Sequence, residues 1–241
     1  MERNDPAYAG QKDYSPALLN LYDPLVLGPI ARFVWECPTS GLLERYRRHI
    51  RPNHLDVGPG TGYFLEHSGL AEGSAVTIVD PNRNVLRHVT RRLRRFEVTA
   101  IEADALKPLP VAGPYDSAAL HLVIHCLPGP MSRKAAAVAN IAAKLAPSGV
   151  LFGASVLGSS GRHNWIARRF LAVFNQQGAF SNLADSEAGL RDILGASFEH
   201  VELETIGSIA LFAATGPRAV SSRSEPEIPR DDTMGMPASR T

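Results

Sequence analysis

Leu55-Asp56-Val57-Gly58-Pro59-Gly60-Thr61-Gly62-Tyr63-Phe64 reads as a buried strand running into a glycine loop and then into a helix. Glycine at positions 58, 60 and 62 lets the chain turn sharply and lets a ligand approach the backbone where a Cβ would collide. A dinucleotide fingerprint has the spacing G-x-G-x-x-G, but the position three after Gly60 is Tyr63, too large for the close helix packing of that motif. The spacing argues against NAD.

On both sides of this loop, short β-branched or apolar runs alternate with helical patterns, the signature of an α/β fold with a parallel sheet. Strand Asn53–Val57 is followed by helix 62–70, strand 75–80, helix 82–96, strand 97–102, strand 115–121, helix 131–146 and strand 149–157. A mostly helical stretch, 162–195, precedes Phe198–Glu204 and Ser208–Ala214. These two strands are joined so tightly at Thr205-Ile206-Gly207 that they must be antiparallel neighbours. The pattern predicts a doubly wound sheet of seven strands whose last strand is reversed. Ahead of it, Ser15-Pro16 opens a helix, Asp23-Pro24 breaks it before a second apolar helix through Trp35, and Thr39-Ser40 leads a third ending near Ile50.

The 241 residues suit one domain with appendages. Residues 1–50 form a helical extension or lid, 51–216 the domain, with 162–195 as a substrate-side insert, and 217–241 a tail. That tail carries four prolines, eight charged residues and no aromatic, so it is expected to be disordered. Lys plus Arg number 25 against 24 Asp plus Glu, and the resulting charge of +1 gives no global field toward nucleic acid or anionic membrane. Cys37 and Cys126 form no C-x-x-C pair, which argues against a disulfide scaffold or a cysteine-based metal site, and no metal is expected. The N-terminus lacks a signal-peptide core and no apolar run approaches the roughly 18 residues of a membrane helix, so the cytoplasm is the expected location.

Asp56-x-Gly58-x-Gly60-x-Gly62 resembles the first motif of class I S-adenosylmethionine (SAM)-dependent methyltransferases, and further matches span about residues 50–157. The resemblance implies a Rossmann-like sheet and SAM as cofactor. Asp80, at the tip of the second strand, stands where the family places an acid on the ribose hydroxyls; it is equally an N-cap for the helix that follows Pro81. Glu102-Ala103-Asp104-Ala105-Leu106 matches the adenine-side motif, although Asp104 alone also reads as a turn residue. The fourth strand and its continuation, Leu120 to Gly129, resemble the fourth motif, whose residues flank the sulfonium. His121 sits at that strand tip and His125 one turn on. Either can serve as a general base, or merely fix the loop by hydrogen bonding. Tyr22-Asp23-Pro24 and Leu157-Gly158 complete a pattern similar to small-molecule methyltransferases of bacterial and secondary-metabolic type.

The resemblance implies an in-line displacement of the methyl group onto a small-molecule acceptor, O-methylation first, with S- and N-methylation as rivals. The implied SAM-binding residues are Tyr22, Asp56, Gly58, Gly60, Gly62, Asp80, Asp104, Ala105 and His121. Tyr14, His163 and Trp165 are candidates on the acceptor side, where the helical stripe of Trp165, Ile166, Phe170, Val173 and Phe174 either roofs the acceptor or simply packs. Arg83, Arg87, Arg91 and Arg95 recur four apart. They form either the solvated face of an amphipathic helix or a phosphate-binding stripe, which leaves RNA methylation as an alternative. No aromatic interleaves with them to stack a base, so nucleic acid is the weaker partner. A protein that keeps the SAM pocket without transferring methyl, cyclase-like or regulatory, is the rival from a different class. The expected assembly is a monomer or homodimer.

Overall fold

Strand β1 (His54–Val57) is buried at every residue because it has a neighbour on each edge and a layer on each face. It pairs in parallel with β2 (Ala75–Asp80) and with β4 (Tyr115–His121), so that Asp56 lies opposite Ile78 on one side and Ala119 on the other. The computed structural model describes residues 26–218; Tyr14, Tyr22, the helix expected from Ser15 and the tail beyond Arg218 lie outside the described residues. Strand β3 (Glu97–Glu102) extends the sheet beyond β2, and β5 (Leu145–Val156) runs parallel to β4. The hairpin of β6 (Phe198–Ile206) and β7 (Ile209–Pro217) completes seven strands in the order β3-β2-β1-β4-β5-β7-β6, with β7 antiparallel to both neighbours. The strand order reverses between β1 and β4, the switch point where open α/β sheets bind ligands.

The helices are α1 (Thr39–His49), α2 (Tyr63–Glu66), α3 (Arg83–Arg92), α4 (Met131–Ala142), α5 (Trp165–Gln176) and α6 (Glu187–Ser197). Residues Val26–Val34 form a π-helical segment and Ile124–Cys126 one 3-10 turn. Several boundaries differ from expectation. The helix expected over 62–70 is the single turn α2, because Gly69 takes a φ of +85° just beyond it. The helix expected to 146 stops at Ala142, since Leu145 already pairs with Tyr115 and starts β5 four residues early. Of the residues expected to form the tail, Pro217 pairs with Phe198 and Arg218 donates its amide to the Ser197 carbonyl over 2.8 Å.

The mostly helical stretch expected over 162–195 holds α5 and most of α6, which pack in different places. Helix α6 buries Leu190, Ile193 and Leu194 with Ala137, Val138 and Ile141 of α4 in the main core. Helix α5 packs Ala167 and Leu171 with Val34 and Trp35 of the preceding segment. Its N-cap, Asn164, accepts from the Ala167 amide over 2.8 Å and donates to the Phe33 carbonyl and Glu36 carboxylate over 3.1 and 3.0 Å. Asn164→Ala removes both a cap and this tie, and urea unfolding is expected to show a loss of about 1–2 kcal/mol. A loss confined to a few tenths would mean that the tie contributes nothing.

Candidate active site

The glycine loop leaves β1 under tight constraint. Gly58 donates its amide to the Val79 carbonyl over 2.8 Å and takes a φ of +75°, and a Cβ there would sit 2.5 Å from Val123 Cγ2. Gly60 also has a positive φ, +58°, yet a Cβ there would meet nothing within 4 Å. Gly58 is thus glycine for packing, whereas Gly60 opens onto free space. That space is a cavity at the carboxyl ends of β1, β2, β3 and β4, lined by the loop together with Asp80, Asp104, Ala105 and His121.

Asp80 accepts from the Asn82 amide over 2.7 Å, while Asn82 itself caps α3 through Asn84. The helix therefore has its own cap, and Asp80 remains in the cavity wall. Burial pushes the Asp80 carboxyl up to about 7; the Asn82 N–H pulls it back, and the charge of Asp56 adds to the rise. Asp104 accepts from the Leu106 amide over 2.9 Å and also lines the cavity, so turn residue and wall residue are the same group. His121 is 7% exposed and packs edge-on against Phe64 and Tyr46, with ring centroids 4.4 and 5.4 Å away. Burial pushes its pKa down to about 3, and neither ring nitrogen has a hydrogen-bond partner among the described residues. The next residue, Leu122, takes a φ of +60°, a conformation costing a non-glycine residue roughly 1–2 kcal/mol. Such strain at a cavity wall is characteristic of functional sites.

A family described as a methyltransferase domain matches residues 55–151, which spans β1 into β5. The chain is 37% identical over 194 residues to YbcY of Escherichia coli K12, covering 79% of this chain and 99% of that protein. It is 35% identical over 211 residues to demethylluteothin O-methyltransferase of Streptomyces thioluteus, covering 85% of this chain and 90% of that one. The chain belongs to the class I SAM-dependent methyltransferases. Further relatives of similar identity are named as O-methyltransferases, and one from Penicillium aethiopicum as an N-methyltransferase. The fold is shared with the N-methyltransferase NodS of Bradyrhizobium japonicum WM9, solved with S-adenosyl-L-homocysteine. That match has a TM-score of 0.54 at 18% identity and covers 73% of this chain and 84% of that one.

The methyltransferase brings Gly58, Gly60, Asp80, Asp104, Ala105 and His121 together around one cavity. Other expected site residues lie elsewhere. Gly62 faces α3, where its Cβ would meet Val89 at 3.1 Å, and Asp56 lies beneath the loop, accepting from the Tyr46 hydroxyl over 2.6 Å. His125 is outside the lining: its Nδ1 accepts from the Val156 amide over 3.2 Å and its ring packs on Phe180, so it fixes the loop after β4. His163 pairs with the Ser208 hydroxyl at 2.9 Å and Trp165 is 72% exposed; neither lines the cavity. Leu27, Phe64 and Leu122 do line it and were not foreseen, since apolar residues give no local sign of facing a ligand rather than a core. Among the described residues, no cluster of three His, Cys, Asp or Glu side chains could hold a metal ion.

Proposed function

We propose that this methyltransferase moves the methyl group of SAM onto a hydroxyl oxygen of a small-molecule acceptor, with His121 taking the hydroxyl proton. The observation that carries this reading is His121, a buried imidazole in the cavity wall with both nitrogens unpartnered among the described residues. A buried polar group left open costs stability, and a ligand that completes it explains why it persists. SAM supplies a methyl group already activated by its sulfonium, so positioning and desolvation provide most of the rate. The residues present fit that molecule. Gly60 leaves backbone open to it, Asp80 at the β2 tip suits the two ribose hydroxyls, and Asp104 with Ala105 suits the adenine side.

His121 is neutral throughout the neutral pH range, because burial holds its pKa near 3, and a neutral imidazole keeps one nitrogen open to accept a proton. Burial disfavours the imidazolium, and the positive charge that the sulfonium loses in the same step offsets that cost: His121 gains a charge as the sulfonium loses one, so the net charge of the cavity is unchanged. Phe64 and Leu122 stand beside it as apolar residues of the wall. His125 takes no part in this scheme beyond holding the wall.

We also place the reaction in the cytoplasm, in a monomer or homodimer and without nucleic acid. Cys37 and Cys126 are free thiols, and among the described residues no helix is long and apolar enough to cross a membrane. Three of the four arginines in the stripe are engaged within the protein: Arg83 pairs with Glu102, Arg87 donates to the Asn84 side chain over 2.6 Å, and Arg95 donates to the Glu66 carbonyl.

Labelled SAM offered with a panel of phenols, thiols and amines is expected to label hydroxyl acceptors; labelling confined to thiols or amines would refute the oxygen assignment. Asp80→Ala is expected to weaken SAM binding by about 1–3 kcal/mol, roughly five- to 150-fold, in titration calorimetry. Unchanged affinity would remove Asp80 from the cofactor site.

A further inference from the structure

Tyr46, on α1, is fully buried, yet its hydroxyl is given to a carboxylate that is itself only 3% exposed: it donates to Asp56 Oδ2 over 2.6 Å. Hydrogen bonds to an ionised acceptor are the strong ones, and they favour the charged form. Burial drives Asp56 toward the neutral acid, up to about 7, and the Tyr46 hydroxyl works against that drive. The charge of Asp56 also raises Asp80, so its field reaches the cavity wall. The other titratable groups around it are few. His54, on the same strand, has Nε2 4.0 Å from Asp56 Oδ2 and is held neutral by burial, near 3. Asp80 faces it from β2, and His121 of β4, also neutral, meets the opposite partner of the hydrogen bond, the Tyr46 ring.

We propose that Tyr46 is a positioning residue of the cofactor site, whose hydroxyl holds the Asp56 carboxylate ionised and fixed beneath the glycine loop so that it attracts the cationic cofactor. This rests on the SAM site assigned above. The Tyr46 ring has a separate duty, packing against Phe64, Phe152 and His121 with centroids 5.7, 5.0 and 5.4 Å away. Phenylalanine preserves that packing, so Tyr46→Phe removes the hydroxyl alone.

The test is calorimetric titration of the full chain with SAM from about pH 6 to 9, on the wild type, Tyr46→Phe, Asp56→Asn and the double variant. Losing the hydroxyl raises the Asp56 pKa, so more of it is protonated at the acid end, and each unit of rise weakens binding there by about tenfold. The expected result is a Tyr46→Phe defect that is largest near pH 6 and shrinks toward pH 9, where Asp56 ionises unaided. KM for SAM should rise while kcat at saturating SAM stays within about twofold, as for lost ground-state binding. In the Asp56→Asn background, Tyr46→Phe should cost nothing further. A defect equal at every pH, one that persists undiminished beside Asp56→Asn, or no defect at all would overturn the proposal. Should Tyr46→Phe not fold, Asp56→Asn must still weaken SAM binding at pH 8, and its failure to do so would overturn the proposal equally. A wild type that binds SAM but methylates no acceptor would refute the proposed function and leave this inference standing. A wild type that does not bind SAM would refute both.

Discussion

His121→Gln is expected to lower kcat for a hydroxyl acceptor by about 10²–10⁴-fold, the usual contribution of a positioned general base, while leaving SAM affinity nearly unchanged. Glutamine keeps an acceptor oxygen and similar reach but cannot take up a proton. The pH dependence separates this role from that of the carboxylates. Because burial lowers the His121 pKa to about 3, the neutral form persists above that value, and kcat should show no acid limb near pH 6 or 7. Burial raises the Asp56 and Asp80 carboxyls to about 7, so kcat/KM for SAM should fall as the pH drops through neutrality and they protonate. A kcat unaffected by the substitution would show that desolvation and positioning suffice and that His121 only lines the wall.

The second large effect is on stability. Lys134 of α4 is fully buried; its Nζ lies 2.6 Å from Asp185 Oδ2 and donates to the Ser181 carbonyl over 2.7 Å. Ser181 in turn donates its amide to the His125 carbonyl over 2.8 Å and accepts from the Gly129 amide over 3.1 Å, at the two ends of the segment that carries Cys126, Leu127 and Pro128 in the cavity wall. The Asp185 carbonyl accepts from Gly158 and Ser159, both over 3.0 Å, which fastens the α5–α6 loop to the end of β5. Burial works against both charges, lowering the Lys134 pKa and raising that of Asp185, and each partner offsets the other's cost. Lys134→Ala leaves the carboxylate unpaired in the interior and is expected to cost about 3–5 kcal/mol in urea unfolding. Lys134→Met combined with Asp185→Leu removes both charges and should recover most of that loss. A single-variant cost below about 1 kcal/mol would mean that water reaches the pair.

The fold was legible wherever one strand declares itself. The run Leu55 to Val57 ending in glycine, and the tight link before Ser208, fix a parallel sheet closed by an antiparallel hairpin, and both are present. Boundaries failed where tertiary pairing overrides local pattern, as when Leu145 joins Tyr115 across a stretch carrying Pro147 and Gly149. The site follows the same division. That Gly58, Gly60, Asp80, Asp104, Ala105 and His121 share one cavity wall was legible because each lies at or just beyond a strand end, which the sheet itself carries to the switch point. Trp165 does not line this cavity, since a helical stripe says which residues share a face but not what that face meets, and His163, ahead of that helix, pairs instead with Ser208. Tyr46 was invisible for the converse reason: a core aromatic on a helix gives no local sign that its hydroxyl ends on the carboxylate of Asp56.

The most direct test of the account is to supply SAM carrying a ¹³C-labelled methyl group with an acceptor from the reactive class and to observe the labelled carbon in the product by NMR, with wild type and His121→Gln in parallel. The expected product carries a methoxy carbon, formed rapidly by the wild type and slowly by the variant. Label on sulfur or nitrogen, or equal rates from the two proteins, would contradict it.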